Sequence, residues 1–229
     1  MRAVLVHGSV GNGPATFSAL GPLEERFDVV VPNRGGYPPG PVLERIDFEE
    51  QAVELAPLLE DGAHLVGHSY GVISLLIAAR YPKRVRSLTV SEPPAFGVAR
   101  GNPDVEQLVA GLNEFFAAGP YEPSEYLRGF LVSVGSELRL PEPLPPALEQ
   151  GARAAMVERP PWEAEIPLDE LAAAPFPKLV ISGGHHAAFD AVCDVLEERL
   201  RAERAVLPGA GHSVPRAPGY AERLLEFFG

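Results

Sequence analysis

The chain has 229 residues, 46% of them hydrophobic, enough for one domain with a substantial core and a small inserted subdomain. Nineteen basic against 31 acidic residues give a net charge of −12, which argues against a nucleic-acid groove or an anionic membrane surface. Cys193 is the single cysteine, so an intrachain disulfide is excluded, and with no leader-like stretch and no long apolar run a cytoplasmic location is expected.

Short β-branched runs alternate with helical stretches along most of the chain. Ala3 to Val6 reads as a strand ending at His7-Gly8, Pro14 to Arg26 as a helix, and Asp28 to Val31 as a second strand. Phe48 to Leu59 is helical by its apolar spacing, and His64 to Val66 is a third strand with His64 at its edge. Gly71 to Tyr81 is a strongly apolar helix that stops before Pro82, and Val85 to Val90 is a fourth strand. Later come a strand over Leu179 to Ser182, a helix over Phe189 to Arg201, a short strand over Ala205 to Leu207 and a closing helix over Tyr220 to Phe228. Nearly continuous apolar strands separated by helices imply a parallel sheet covered on both faces.

Residues 94–177 break this rhythm. The stretch is rich in proline and carries helical segments over Val105 to Ala117, Ser124 to Leu131 and Leu148 to Val157, without a convincing strand. It reads as a helical cap inserted into a core made of residues 1–93 and 178–229.

Gly67-His68-Ser69-Tyr70-Gly71 matches G-x-S-x-G between an apolar strand and an apolar helix. In that setting serine occupies a sharp turn with its hydroxyl exposed above the sheet, and glycines at both ends leave room for neighbouring elements. Ser69 is therefore the candidate nucleophile, and the Tyr70 N–H at the helix start can donate to a developing oxyanion. A serine hydroxyl needs a neutral imidazole within reach, and His212, in a glycine-rich loop after the last short strand, is the candidate base.

On these motifs the chain resembles the α/β-hydrolase superfamily over about residues 3–92 and 178–229. His7-Gly8-Ser9-Val10-Gly11 is similar to that family's H-G-x-x-G loop, Asn33-Arg34-Gly35-Gly36-Tyr37 to its D-x-R-G-x-G segment, and Gly209-Ala210-Gly211-His212 to its G-x-G-H segment. The resemblance implies an α/β-hydrolase fold with a second oxyanion donor from the N–H of Ser9 or Val10, and His212 as the catalytic histidine. Family members usually open with two strands before the His-Gly strand. Here a six-stranded, all-parallel sheet is expected, without the antiparallel edge strand.

The third catalytic member is less plainly written. The family commonly takes its acid from a G-x-x-D loop, but here that loop reads Gly183-Gly184-His185-His186-Ala187, with no carboxylate before Asp190. Some branches place the acid one strand earlier, where this chain has Glu92 at the tip of an apolar strand, a costly place for an unpartnered carboxylate. Glu92 is preferred and Asp190 is the alternative. His68 is expected to pack beside the turn, and no cysteine or carboxylate cluster sits near His185 and His186 at ligand spacing, so neither metal nor cofactor is called for. A Gly-rich nucleotide loop is excluded, because Gly8 to Gly13 fits neither dinucleotide nor phosphate-loop spacing. The expectation is a carboxylesterase-like serine hydrolase acting on a small ester-type substrate. Thioester, lactone or carbon–carbon cleavage, or a non-catalytic ligand-binding role, stand as alternatives.

Overall fold

The computed structural model describes residues 1–136 and 139–229. Its centre is a parallel sheet of β1 (Arg2–Val6), β2 (Asp28–Val30), β3 (Ala63–His68), β4 (Val85–Ser91), β5 (Lys178–Ser182) and β6 (Glu203–Val206). The strand order is β2-β1-β3-β4-β5-β6, and every neighbouring pair is parallel.

The inner strands of this sheet are buried on both faces, which explains their unbroken apolar runs. In β1, Ala3 and Leu5 pack on one side with Phe17, Leu23, Tyr220 and Leu224, while Val4 and Val6 pack on the other with Leu55, Ile73 and Leu75. Successive strand residues point to opposite faces, so a strand covered on both sides has no polar phase. The helices on these faces are α1 (Gly13–Thr16), α2 (Gly21–Glu24), α3 (Phe48–Leu55), α4 (Ile73–Arg80), α9 (Ala187–Leu200) and α10 (Tyr220–Phe228). Between β4 and β5 run α5 (Pro103–Ala117), α6 (Pro123–Ser133), α7 (Pro146–Met156) and α8 (Leu168–Ala173). No described residue of 94–177 joins the central sheet; a lone bridge pairs Glu158 with Ile46. No helix among the described residues is long and apolar enough to cross a membrane.

Several element boundaries depart from the sequence expectation. The helix expected over Pro14 to Arg26 is two short helices, because Gly21-Pro22 restarts the chain with proline at a helix N-terminus. The expected helix over Phe48 to Leu59 tightens to a 3₁₀ turn at Ala56–Leu59, where Pro57 cannot donate to the α ladder. Helix α8 was not expected at all; it is only six residues long and buries one large side chain, Leu171. His64 lies not at an edge but in an interior strand, bonded through Nδ1 to Ser87 Oγ at 2.8 Å and stacked on Phe228.

The topology fixes where chemistry can be assembled. The chain runs outward from β1 to β2 and then returns past β1 to β3, so β1 and β3 flank the point where strand order reverses. Their carboxyl ends face one crevice, the usual ligand edge of an open parallel sheet. Val6 pairs with Gly67 and His68 with Ser91, which brings the loops after β1, β3 and β4 to the same edge.

Candidate active site

Ser69 sits immediately after β3 with φ +52°, a left-handed conformation that is uncommon outside glycine and marks a strained turn. The turn is closed by two glycines that no larger residue could replace without movement. A Cβ on Gly67 would lie 2.1 Å from the Gly71 carbonyl oxygen, and one on Gly71 would lie 2.4 Å from that of Val6. Gly71→Ala is expected to destabilise the fold by about 1–3 kcal/mol or more, as overpacking against backbone does. Urea unfolding of the variant checks this, and an unchanged midpoint would contradict the close packing of the turn on β1.

His212 arrives from the loop after β6. That loop lies against Gly183, where a Cβ would come within 2.0 Å of the Gly211 carbonyl oxygen. His68 packs beside the turn and donates from Nε2 to the His212 carbonyl at 2.8 Å, fixing the loop from below. His212 Nε2 then stands 2.9 Å from Ser69 Oγ, and its Nδ1 stands 3.2 Å from Glu92 Oε2.

Glu92 follows β4 with φ +49° and is fully buried. Its other oxygen, Oε1, accepts the Gly183 N–H at 2.6 Å, so both carboxylate oxygens are occupied. Burial pushes this carboxyl up to about 7, against the pull of the Gly183 N–H and His185. Burial likewise drives the His212 imidazole down to about 3, with His185 and His186 adding to the effect. Ser69 Oγ therefore faces a neutral imidazole.

Asp190 has other partners. It lies in the first turn of α9, accepts from Ser182 Oγ at 2.6 Å and pairs with Arg204 at 3.2 Å. A carboxylate there complements the positive end of the helix.

The loop after β1 is braced from several sides. Val10 adopts φ +71°, and its N–H donates to the Tyr37 hydroxyl at 3.3 Å. Ser9 belongs to this loop, and the Tyr70 N–H lies in the first turn of the short 3₁₀ helix Ser69–Val72. Arg34, 1% exposed, donates to the Gly8 carbonyl at 2.9 Å, to Gln51 at 2.7 Å and to Glu158 at 2.5 Å, between the rings of Tyr37 and Tyr70. Glu158 also accepts from Tyr37 at 2.8 Å and from Ser9 Oγ at 2.5 Å. Nothing in the sequence around Glu158 marks it; the only signal is that a buried arginine demands a carboxylate from somewhere.

His185 also lies closer to the site than sequence spacing indicates. Its Nδ1 is 3.5 Å from Glu92 Oε2, a carboxylate that local spacing does not place beside it. Glu92, His185 and His212 could offer ligand atoms within 4.8 Å of one another, at the cost of the His212–Glu92 contact. The 91-residue gap between Glu92 and Gly183 hides this neighbourhood from any reading of local spacing.

Two cavities open at Ser69. One, of about 30 Å³, is walled by Tyr70, Phe116, Tyr126 and Trp162. The other, of about 150 Å³, is walled by Val10, Leu131, Leu148, Pro215 and His212. Ser9 and Ser69 border both.

A parallel sheet carrying a serine turn, with a histidine and a carboxylate converging on it, defines the α/β-hydrolase class of fold. The model of the alpha/beta hydrolase family matches residues 3–222, and the chain belongs to that family. Among solved structures, an alpha/beta hydrolase from Sphaerobacter thermophilus DSM 20745 is 24% identical, with TM-score 0.66, covering 100% of this chain and 92% of that one. NosK from Streptomyces actuosus is 22% identical at TM-score 0.66, covering 99% and 96%. The 2-hydroxy-6-oxo-6-phenylhexa-2,4-dienoate hydrolase from Rhodococcus sp. strain RHA1 is 20% identical at TM-score 0.70, covering 99% and 90%. No curated protein matches the sequence.

Proposed function

We propose that the protein is a serine hydrolase that cleaves a small ester-type substrate through an acyl-enzyme. Ser69 is the nucleophile, His212 the general base and Glu92 the acid. The observation that carries this reading is the continuous chain Ser69 Oγ, His212 Nε2, His212 Nδ1, Glu92 Oε2, with contacts of 2.9 and 3.2 Å.

In the first half-reaction, the Ser69 oxygen bonds to the ester carbonyl carbon as its proton passes to His212 Nε2. The carbonyl oxygen becomes an oxyanion, for which the Ser9 and Tyr70 N–H groups are the donors. Val10, occupied by Tyr37, is assigned to holding the loop instead. Collapse breaks the carbon–oxygen bond to the alcohol, which leaves with the proton from His212. Water then repeats the sequence, releasing the acid and restoring the serine. Glu92 accepts from Nδ1 throughout, which keeps Nε2 free to take the serine proton. The residues 94–177, as a helical cap, close the crevice from above and exclude water from the acyl-enzyme's apolar side.

The test is the pH dependence of kcat/KM on p-nitrophenyl acetate. The active form has Glu92 ionised and His212 neutral, and the first proton added to this pair removes the base wherever it settles. With Glu92 raised to about 7 and His212 lowered to about 3, that first proton binds near 7. Activity is therefore expected to be full above neutrality and to fall about tenfold per pH unit below about 7. A profile flat from pH 5 to 8 would contradict the assignment of the pair.

A further inference from the structure

We propose that the preferred substrate is an ester of a short acid with a bulkier, mainly apolar alcohol. The inference rests on the hydrolase reading and adds to it the direction in which the ester lies across Ser69.

The direction follows from where the proton must go. His212 receives the serine proton and must deliver it to the departing alcohol oxygen, so the alcohol lies on the side that His212 borders. His212 borders the wider cavity and not the narrow one. Ser9 and Ser69 are common to both cavities, whereas the narrow one alone is bordered by Tyr70, an assigned oxyanion donor, and lacks His212, and so it receives the acyl chain.

The sizes then decide what fits. One water-sized group occupies about 10–15 Å³ on this measure. The acyl side, at about 30 Å³, takes only two or three such groups, closed off by Phe116, Tyr126 and Trp162. The alcohol side, at about 150 Å³, takes on the order of ten, along a wall of Leu131, Leu148 and Pro215. The aromatic side chains of the helical segment thus act as a stop for the acyl chain. Phe116 contacts Trp162 at 5.8 Å and Tyr126 at 6.1 Å between ring centroids, so the stop is a packed cluster rather than one movable ring.

Benzyl acetate and methyl phenylacetate test this directly, because they contain the same atoms with the ester reversed. Each kcat/KM is measured by pH-stat and divided by the ester's own hydroxide-catalysed rate constant. Benzyl acetate should be preferred by at least tenfold. Phe116→Ala should narrow that ratio several-fold by opening the acyl side, and Leu148→Trp should narrow it by obstructing the alcohol side. Equal ratios, or a preference for methyl phenylacetate, would overturn the inference. So would failure to cleave either ester, and p-nitrophenyl acetate then separates the two claims. Its hydrolysis would leave the hydrolase reading standing, and its survival would remove that reading as well.

Discussion

Ser69→Ala is expected to lower kcat on p-nitrophenyl acetate by about 10⁴-fold or more, with the fold unchanged. The magnitude follows from the role assigned to the residue, since loss of the nucleophile in a serine–histidine–acid unit leaves only the contribution of binding and oxyanion donors. Retained folding follows from the structure. The replacement removes one oxygen at a position whose backbone is held by Gly67, Gly71 and the ends of β1 and β3, none of which depends on the hydroxyl. His212→Ala should cost a comparable factor, and the double variant little more than either single one, because the two side chains act as a unit. Near-full turnover in Ser69→Ala would mean that the reaction uses another nucleophile.

Glu92→Gln should lose on the order of 10²–10⁴ in kcat, against well under tenfold for Asp190→Asn. A glutamine can place its NH₂ toward His212 Nδ1, which forces the proton to Nε2 and leaves the serine facing a donor. The same substitution removes the group that raises the first protonation of the pair to about 7. The acid limb of kcat/KM should therefore move to lower pH in whatever activity remains, toward the depressed range of His212. Asp190→Asn keeps a polar partner for Ser182 and Arg204 and touches neither reacting atom. The reverse ranking would assign the acid to Asp190, and two mild effects would reduce the unit to a serine–histidine pair.

What could be read from the sequence, and what could not, divides by distance along the chain. Ser69 is legible because the strand, the turn and the helix that define its setting are contiguous from Ala63 to Arg80. His212 is legible from its glycine-rich loop between β6 and α10, although its contact with Ser69 spans 143 residues. Glu92 stands out as a carboxylate at the end of an apolar strand, where some branches of the family carry their acid. The competing Asp190 could be ranked below it only because it falls in a helix's first turn, and its bonds to Ser182 and Arg204 were invisible.

The parallel sheet was readable for a different reason. Strands buried on both faces leave unbroken apolar runs such as Val4 to Val6, which no loop would carry. Elements with weak local signals were not readable. Helix α8 has too few residues for a period, and the apolar spacing over Pro14 to Arg26 runs on through Gly21-Pro22, where the chain starts a second helix. Glu158 carries no local signal, and His185 stands out only as one of a histidine pair, not as a neighbour of Glu92. Each reaches the site through tertiary packing, Glu158 across 149 residues to Ser9 and His185 through a loop that folds back toward β4.

The most direct test of the central claim is covalent. The intact protein, treated with a fluorophosphonate, should gain the mass of one phosphonyl group as Ser69 Oγ bonds to phosphorus and fluoride leaves. Peptide mapping should place that group on Ser69. Labelling should be absent in Ser69→Ala and strongly slowed in His212→Ala, since the hydroxyl must lose its proton to react. A wild-type protein that stays unmodified, or that carries the label on a different residue, would contradict the account.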